Sequence, residues 1–168
     1  IDTGLKKGDR VAMLQGSNPE FVSIFFGILK AGGIAVPLDS RYVADELECI
    51  FHDCKPRVLV AENPPFESLV PALPRFKSIE RVITFNREKG DKFITYEDII
   101  ARRLKSEVRV TGEPEDTAII SYTGGPAQNP HGVALSHRSV YTEAANSALT
   151  FEQTDKDILI QFALPMYH

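Results

Sequence analysis

The sequence predicts an α/β fold in which a largely parallel β-sheet is flanked by helices. Short apolar runs, typical of buried strands, alternate along the chain with longer segments whose apolar residues recur every three or four positions, as in amphipathic helices. This alternation is typical of parallel sheets whose strands are joined by helices. The predicted strands are 10–16, 34–38, 58–61, 81–85, 117–123, 132–136 and 157–164, and the predicted helices are 18–32, 43–54, 95–104 and 137–149.

The first helix has clear signals at both ends. Asn18 is a preferred N-cap residue and precedes a proline, which suits the first helical turn. Ser17 and Glu20 form an alternative capping box at the same end. Gly32 and Gly33 follow the last apolar residue of the pattern, so we expect them to end the helix.

Prolines and one serine mark other element boundaries. Pro37 lacks a backbone donor, which predicts that it lies at a strand end or at a sheet edge. Four prolines interrupt the pattern between residues 62 and 74, although FESLV (66–70) is compatible with a short helix. Ser136 is expected to cap the helix that begins near residue 137.

Length and composition exclude several classes of protein. A chain of 168 residues corresponds to one domain or to part of a larger one. The net charge of -4 gives no basic field that would favour nucleic acid, and no apolar run approaches the roughly 20 residues of a transmembrane helix. The chain has no initiator Met and no signal-peptide pattern, which predicts a piece cut from a longer protein.

The only two cysteines lie close together on a predicted helix. Cys49, His52 and Cys54 form a C-x2-H-x-C pattern, but a zinc site needs three or four converging ligands. His52 and Cys54 are two positions apart and do not share a helix face. We therefore interpret the cysteines as buried thiols, which suit a reducing cytoplasm.

The segment TGGPAQNPHG (123–132) is the strongest candidate for a binding loop. Its glycines allow close approach of backbone N–H groups to a phosphate, and it follows a predicted strand, where ligands bind in parallel sheets. No Lys or Arg lies between Arg109 and Arg138, so G-x4-G-K-[ST] is absent, as are G-x-G-x-x-G and G-x-S-x-G. From the residues alone, an ordinary hairpin rich in Gly and Pro remains an alternative to a phosphate site.

Several motifs in order resemble one protein family. YTGGPAQNPHGVALSH (122–137) resembles the phosphate-loop signature Y-T-S-G-T-T-G-x-P-K-G-V-x-L-S-H of the adenylate-forming, or AMP-binding, superfamily. KAGGIAVPLD (30–39) resembles the family's K-A-G-G-x-x-V-P-L-D segment, and PMYH (165–168) resembles its P-M-[FY]-H motif. The resemblance covers nearly the whole chain. It implies that residues 1–168 are part of the large N-terminal domain of the acetyl-CoA synthetase-like fold, without the small C-terminal domain.

The resemblance also implies a chemistry. Members of the superfamily join a carboxylic acid to ATP, with Mg²⁺, and most then pass the acyl group to coenzyme A or to another thiol. The fragment lacks the family's later motifs, so we expect it to be inactive alone. Gly124 resembles the residue of fatty-acyl enzymes at this position. The residues implied to contact the ATP phosphates are Thr123, Gly124, Gly125, Pro126, Ala127, His131 and Gly132, and those implied at the acyl pocket are Tyr167 and His168.

Four loop positions depart from the family pattern. Pro126 and Ala127 replace two hydroxyl residues, Gln128 replaces a glycine, and His131 replaces the lysine. Each hydrogen bond lost to a charged phosphate weakens binding by about 1.5–3 kcal/mol, so losing two predicts roughly a hundredfold loss or more. The departures favour an alternative hypothesis, a non-enzymatic relative that binds an acyl ligand or a partner. An unrelated α/β binding domain is a third hypothesis.

Overall fold

The computed structural model has an α/β architecture built on a mostly parallel sheet, as the sequence predicts. It describes residues 4–86, 93–102, 112–123, 130–158, 160 and 164–167. In these residues the strands are β1 (Arg10–Leu14), β2 (Ile34–Leu38), β3 (Val58–Glu62), β4 (Arg81–Phe85), β5 (Ile94–Thr95), β6 (Thr117–Tyr122) and β7 (Gly132–Ser136). The helices are α1 (Pro19–Lys30), α2 (Ala44–Cys54), a 3₁₀ helix (Pro65–Arg75), α3 (Tyr96–Ala101) and α4 (His137–Thr150).

The described strands form one sheet in the order β5-β4-β3-β1-β2-β6-β7. The pairs from β5 to β6 are parallel, and β7 is antiparallel to β6. Because β1 pairs with both β2 and β3, it lies in the middle of the sheet. The carboxyl ends of the parallel strands therefore meet at one edge, which we call the carboxyl edge.

Two hydrophobic clusters cover the two faces of the sheet. On one face, α2 and the 3₁₀ helix pack against alternate strand residues such as Leu14 and Leu59. On the other face, α1 and α3 pack against the intervening residues, such as Met13 and Val60. The central strands are buried on both faces, which explains why they are continuous apolar runs rather than alternating ones.

The cap of α1 agrees with the first of the two sequence alternatives. The Phe21 N–H donates to Oδ1 of Asn18 at 2.9 Å, and Nδ2 of Asn18 donates to Glu62 at 3.1 Å. At the other end, Gly32 has a φ of +78°, and the Gly33 N–H donates to the Ile28 carbonyl at 2.9 Å. Only a residue without a Cβ adopts this left-handed conformation readily, so the glycine pair ends the helix as predicted.

Two sequence predictions need correction, and a third is resolved between its alternatives. The described residues 157, 158, 160 and 164 of the predicted last strand belong to no strand, and Ile158 is 88% exposed, whereas residues 159 and 161–163 lie outside the described residues. An apolar run forms a strand only beside another strand that can pair with it. Pro37 lies one residue before the end of β2, which agrees with the strand-end alternative, and β2 is an interior strand of the sheet rather than an edge. Cys54 is buried, whereas Cys49 is exposed because it lies on the outer side of α2.

The remaining differences concern element boundaries. The helix predicted over 95–104 ends at Ala101, and residues 103–111 lie outside the described residues. The segment with four prolines forms an 11-residue 3₁₀ helix, whose Phe66 is fully buried. None of the helices in the described part of the chain is long and apolar enough to cross a bilayer.

We expect Asn18→Ala to lower the stability of the fold by about 1–2 kcal/mol, because it removes the cap of α1 and the contact with Glu62. Asn18→Ser is the matched control, since its hydroxyl can still accept from the helix N–H groups. The measurement is the midpoint of thermal unfolding. Equal midpoints for the two variants would show that the cap does not stabilise α1.

Candidate functional site

The candidate loop begins and ends at the carboxyl edge. Thr123 directly follows β6, and Gly132 begins the antiparallel β7, so the chain leaves the edge and returns to it. The Thr123 N–H donates to the His131 carbonyl at 3.0 Å, and the Thr123 hydroxyl lies 3.5 Å from the same oxygen. The structure therefore brings Thr123, His131 and Gly132 together. The predicted phosphate-contacting residues Gly124, Gly125, Pro126 and Ala127 lie outside the described residues, as does Gln128.

Gly132 has a packing role that the sequence does not reveal. It pairs with Tyr122 across the β6–β7 ladder. A Cβ at this position would lie 2.9 Å from Cγ2 of Ile120, closer than real Cβ contacts, and 3.0 Å from Cζ of Tyr122, which is tighter than most of them. The absence of a side chain at position 132 therefore lets the Tyr122 ring lie across the base of the loop.

The Tyr122 hydroxyl ties the base of the loop to α2. It donates a hydrogen bond of 2.5 Å to Oδ2 of Asp53. Burial raises the pKa of Tyr122, and the adjacent Asp53 carboxylate raises it further, so the hydroxyl stays protonated and remains a donor. Sequence analysis missed this contact because the two residues are 69 positions apart and no motif contains both of them.

His131 lines a cleft of about 670 Å³ between the loop and α2. The cleft has the size of a small-molecule site. Glu48 and Asp53 lie on the same cleft, so an anion placed there would meet two carboxylates unless a cation offset them. His131 supplies such a charge only when it is protonated. The residues that line the cleft are Glu48, Cys49, His52, Asp53, Pro130, His131 and Gly132.

The segment that contains Met166 and Tyr167 also lies at the carboxyl edge. The Met166 N–H donates to the hydroxyl of Ser17, which follows β1, at 3.0 Å. The Tyr167 hydroxyl donates to Oδ2 of Asp39, which follows β2, at 3.0 Å. The structure therefore brings Tyr167 to the same edge as the loop. His168 lies outside the described residues.

Asp39 is strongly acidic in this arrangement. Hydrogen bonds from the Arg41 guanidinium lower the pKa of Asp39 from 3.8 to about 2, and the Arg41 N–H and the Tyr167 hydroxyl contribute in the same direction. Burial opposes the shift, but its effect is smaller than that of the hydrogen bonds from the Arg41 guanidinium. Asp39 is therefore ionised throughout the physiological range and acts as a hydrogen-bond acceptor.

A larger cleft of about 820 Å³ lies at the opposite edge of the sheet, where β2 and β6 begin. Two of its three Lys and Arg side chains, Lys7 and Arg138, are already paired with Asp116 and Glu115. Ligands of parallel sheets bind beyond the carboxyl ends of the strands, so we place the candidate site at the carboxyl edge.

Among the described residues, no group of three or more His, Cys, Asp or Glu side chains could hold a metal ion.

Comparison with known proteins identifies relatives along the whole chain. The family model described as AMP-binding enzyme matches residues 1–168. A long-chain-fatty-acid–CoA ligase from Mycobacterium tuberculosis is 33% identical over 98% of this chain and 32% of its own length. An oxalate–CoA ligase from Arabidopsis thaliana is 25% identical over 99% of this chain and 32% of its own length. The chain thus spans about a third of the length of the curated relatives it matches.

Solved structures with a similar fold also match nearly the whole chain. The crystal structure of a long-chain-fatty-acid–CoA ligase from Archaeoglobus fulgidus has a TM-score of 0.87 at 26% identity, over 99% of this chain and 32% of that one. ATP-bound MatB from Rhodopseudomonas palustris has a TM-score of 0.82 at 25% identity, with the same coverage. The predicted fold class, including its family, is confirmed by these matches.

We expect Gly132→Ala to destabilise the protein by about 1–3 kcal/mol, because the new methyl group would collide with Ile120 and Tyr122. Gly27→Ala is the matched control: apart from its chain neighbours and the backbone of its own helix, nothing lies within 4 Å of a Cβ there, and alanine should stabilise the interior of α1 by up to ~1 kcal/mol. Thermal unfolding midpoints should shift in opposite directions. A midpoint of Gly132→Ala at or above that of the unaltered protein would contradict this packing role.

We expect Asp39→Asn to cost stability in a pH-dependent way. Because the folded state lowers the pKa of Asp39 to about 2, the carboxylate stabilises the fold fully above its ordinary pKa of 3.8 and loses this effect as the pH falls towards 2. Urea denaturation between pH 7 and pH 3 should therefore give a difference between the two proteins that shrinks below about pH 4. A difference that is constant across this range would show that the charge of Asp39 does not contribute.

Proposed function

Because the chain belongs to the AMP-binding enzyme family, we propose that the full-length protein activates a carboxylic acid with ATP and transfers the acyl group to coenzyme A. In the first step a carboxylate oxygen attacks the α-phosphorus of ATP, and the bond to the departing pyrophosphate breaks. In the second step the thiol sulfur attacks the acyl carbon, AMP leaves, and the thiol loses its proton. The observation that carries the proposal is the family match over the whole chain, together with a candidate phosphate loop at the carboxyl edge.

In this proposal the loop holds the phosphates of ATP, which enters with Mg²⁺. The glycines permit close approach of backbone N–H groups, and the Thr123 hydroxyl lies at the base of the loop, 3.5 Å from the His131 carbonyl oxygen. His131 stands where the family pattern has a lysine, so it supplies the cation of the loop when it is protonated. The residues proposed to contact the phosphates are Thr123, Gly124, Gly125, Pro126, Ala127, His131 and Gly132.

The carboxylic acid is proposed to bind near Tyr167 and His168. Tyr167 lies at the same edge as the loop, which supports placing the acyl group and ATP side by side. A fatty acid is the proposed substrate class, supported by Gly124 and by relatives named as long-chain-fatty-acid–CoA ligases.

The free cysteines Cys49 and Cys54 support a cytoplasmic location.

Residues 1–168 are proposed to be part of the N-terminal adenylation domain. The chain corresponds to about a third of its relatives, so groups that complete the active site would come from the remaining two thirds. We therefore propose that the chain alone does not catalyse adenylation, and the tests below use the full-length protein.

The test is carboxylate-dependent exchange of labelled pyrophosphate into ATP by the full-length protein, with acids of increasing chain length. A second protein restores the family pattern through Pro126→Thr, Ala127→Thr, Gln128→Gly and His131→Lys. We expect exchange by the unaltered protein, and a KM for ATP that is at least about tenfold lower after restoration, because two hydroxyl donors and a permanent cation are regained.

The controls separate the proposal from its alternative. Thr123→Val should weaken exchange in both proteins, because it removes the hydroxyl at the base of the loop. Exchange that appears only after restoration would identify the natural protein as a non-enzymatic relative, which is the function that the loop departures favour. Exchange in neither protein would reject carboxylate activation altogether.

A further inference from the structure

A hydrogen-bonded network at the carboxyl edge joins two parts of the chain that are far apart in sequence. Asp39, Arg41 and Tyr167 form it, and we call it the Asp39 network. The Tyr167 hydroxyl donates to Oδ2 of Asp39 at 3.0 Å, and Nη2 of Arg41 lies 3.4 Å from the Tyr167 oxygen. Residue 39 and residue 167 are 128 positions apart, so the network closes a long stretch of chain onto the end of β2.

Asp39 is the centre of this network, because both of its oxygens are used. Oδ1 accepts from the Arg41 backbone N–H at 2.9 Å and from Nε at 3.0 Å. Oδ2 accepts from Nη2 of Arg41 at 2.6 Å and from Tyr167. A planar guanidinium that binds both oxygens fixes the orientation of the carboxylate, and therefore the direction in which Oδ2 meets the tyrosine.

The burial of these groups argues that the network orients a segment rather than supporting the core. The Asp39 side chain is 15% exposed, whereas that of Arg41 is 81% exposed, and none of the three residues belongs to the buried part of a hydrophobic cluster. A second contact, from the Met166 N–H to Ser17, holds the same segment against the end of β1. The segment is thus held at two points, one beyond each of two neighbouring strands.

We propose that Asp39 and Arg41 are positioning residues that hold Tyr167 in the wall of the carboxylic-acid site. They do not touch the substrate; they act by fixing the ring of Tyr167 and the backbone of residues 166 and 167. This inference rests on the proposed function and extends it, because it assigns a role to two residues outside the loop and outside the acyl pocket. Weakening the network should impair binding of the carboxylic acid and leave binding of ATP unchanged.

The expected size of the effect follows from the hydrogen bond between the Tyr167 hydroxyl and the Asp39 carboxylate, which Tyr167→Phe removes together with the longer contact to Arg41. A hydrogen bond to a charged group corresponds to roughly a ten- to hundredfold change in an equilibrium. Because the Met166 contact with Ser17 remains, only part of this change should reach the substrate. We expect the KM for the carboxylic acid to rise at least about threefold, with the KM for ATP unaffected.

The experiment compares Tyr167→Phe with Tyr96→Phe in the full-length protein. Tyr96 also has a hydroxyl in a hydrogen bond, 2.8 Å from that of Ser23, so both variants lose one hydrogen-bonded hydroxyl. Tyr96 follows β5, which is four strands away from β2, or about 19 Å. Carboxylic-acid KM, ATP KM and thermal unfolding midpoint are measured for both. Only Tyr167→Phe should change the carboxylic-acid KM. The thermal unfolding midpoints of the two variants should be similar.

A double variant tests whether the residues act as one unit. Arg41→Gln removes the guanidinium that orients Asp39, and its effect on the carboxylic-acid KM should not add to that of Tyr167→Phe. Hydrogen exchange of the peptide that spans residues 164–167 provides a readout independent of turnover. Protection there should fall in Tyr167→Phe and in Arg41→Gln, and should stay unchanged in Tyr96→Phe.

Two failures are distinguishable. Absence of carboxylate-dependent exchange in the unaltered protein would overturn the proposed function, and this inference with it. An active Tyr167→Phe protein whose carboxylic-acid KM matches that of Tyr96→Phe would overturn this inference alone and leave the proposed function intact. Fully additive effects of Arg41→Gln and Tyr167→Phe would likewise overturn it, since independent sites do not form one network.

Discussion

The parallel ladder that joins β1 to β2 and β3 is the constraint on which the rest of the molecule depends. Arg10 pairs with Ile34 and Leu14 with Leu38, so β1 and β2 start and finish together. Because parallel strands place all their carboxyl ends on one side, the loops that follow them are neighbours in space. Helices on both faces bury most residues of the central strands, and this burial holds the ladder in register.

The base of the candidate loop depends on a second constraint, which is the lack of space beside Gly132. The Tyr122 ring occupies the position where any side chain at residue 132 would lie. Its hydroxyl bonds to Asp53, so the strand that leads into the loop is fixed to α2 as well as to the sheet. A loop that binds phosphate needs a rigid base because its N–H groups must converge on one anion.

The two ends of the site are held in different ways. The loop side relies on packing around Tyr122 and on the hydrogen bond between Thr123 and His131. The Tyr167 side relies on charge, since the Asp39 carboxylate is held by Arg41 and accepts from the tyrosine. Salt screens exposed charges more than it affects close packing, so the two sides respond differently to ionic strength. A carboxylic acid and ATP that bind at this edge would therefore contact one side held by close packing and one side held by charge.

The sequence by itself determined the fold class, most element positions and the chain segment that carries the loop. These features depend on local pattern: the apolar period of strands and helices, the cap at Asn18, and the glycines that end α1. The motif similarity identified Thr123, His131 and Gly132, and the structure brings these residues together. The prediction of a strand at Ile158 was wrong, because an apolar run alone does not indicate whether another strand is available to pair with it.

Only the tertiary structure decided which distant residues meet. Tyr122 and Asp53 are 69 positions apart, and Tyr167 and Asp39 are 128 positions apart, so no spacing rule connects them. Pro37 lies in an interior strand for the same reason, since strand order depends on how the chain crosses the sheet and not on any one residue. Side-chain contacts between separate elements depend on the register of the ladder and on the packing of the faces. These are collective properties of the folded chain, which explains why sequence patterns locate the segments of this site but not the contacts that hold them.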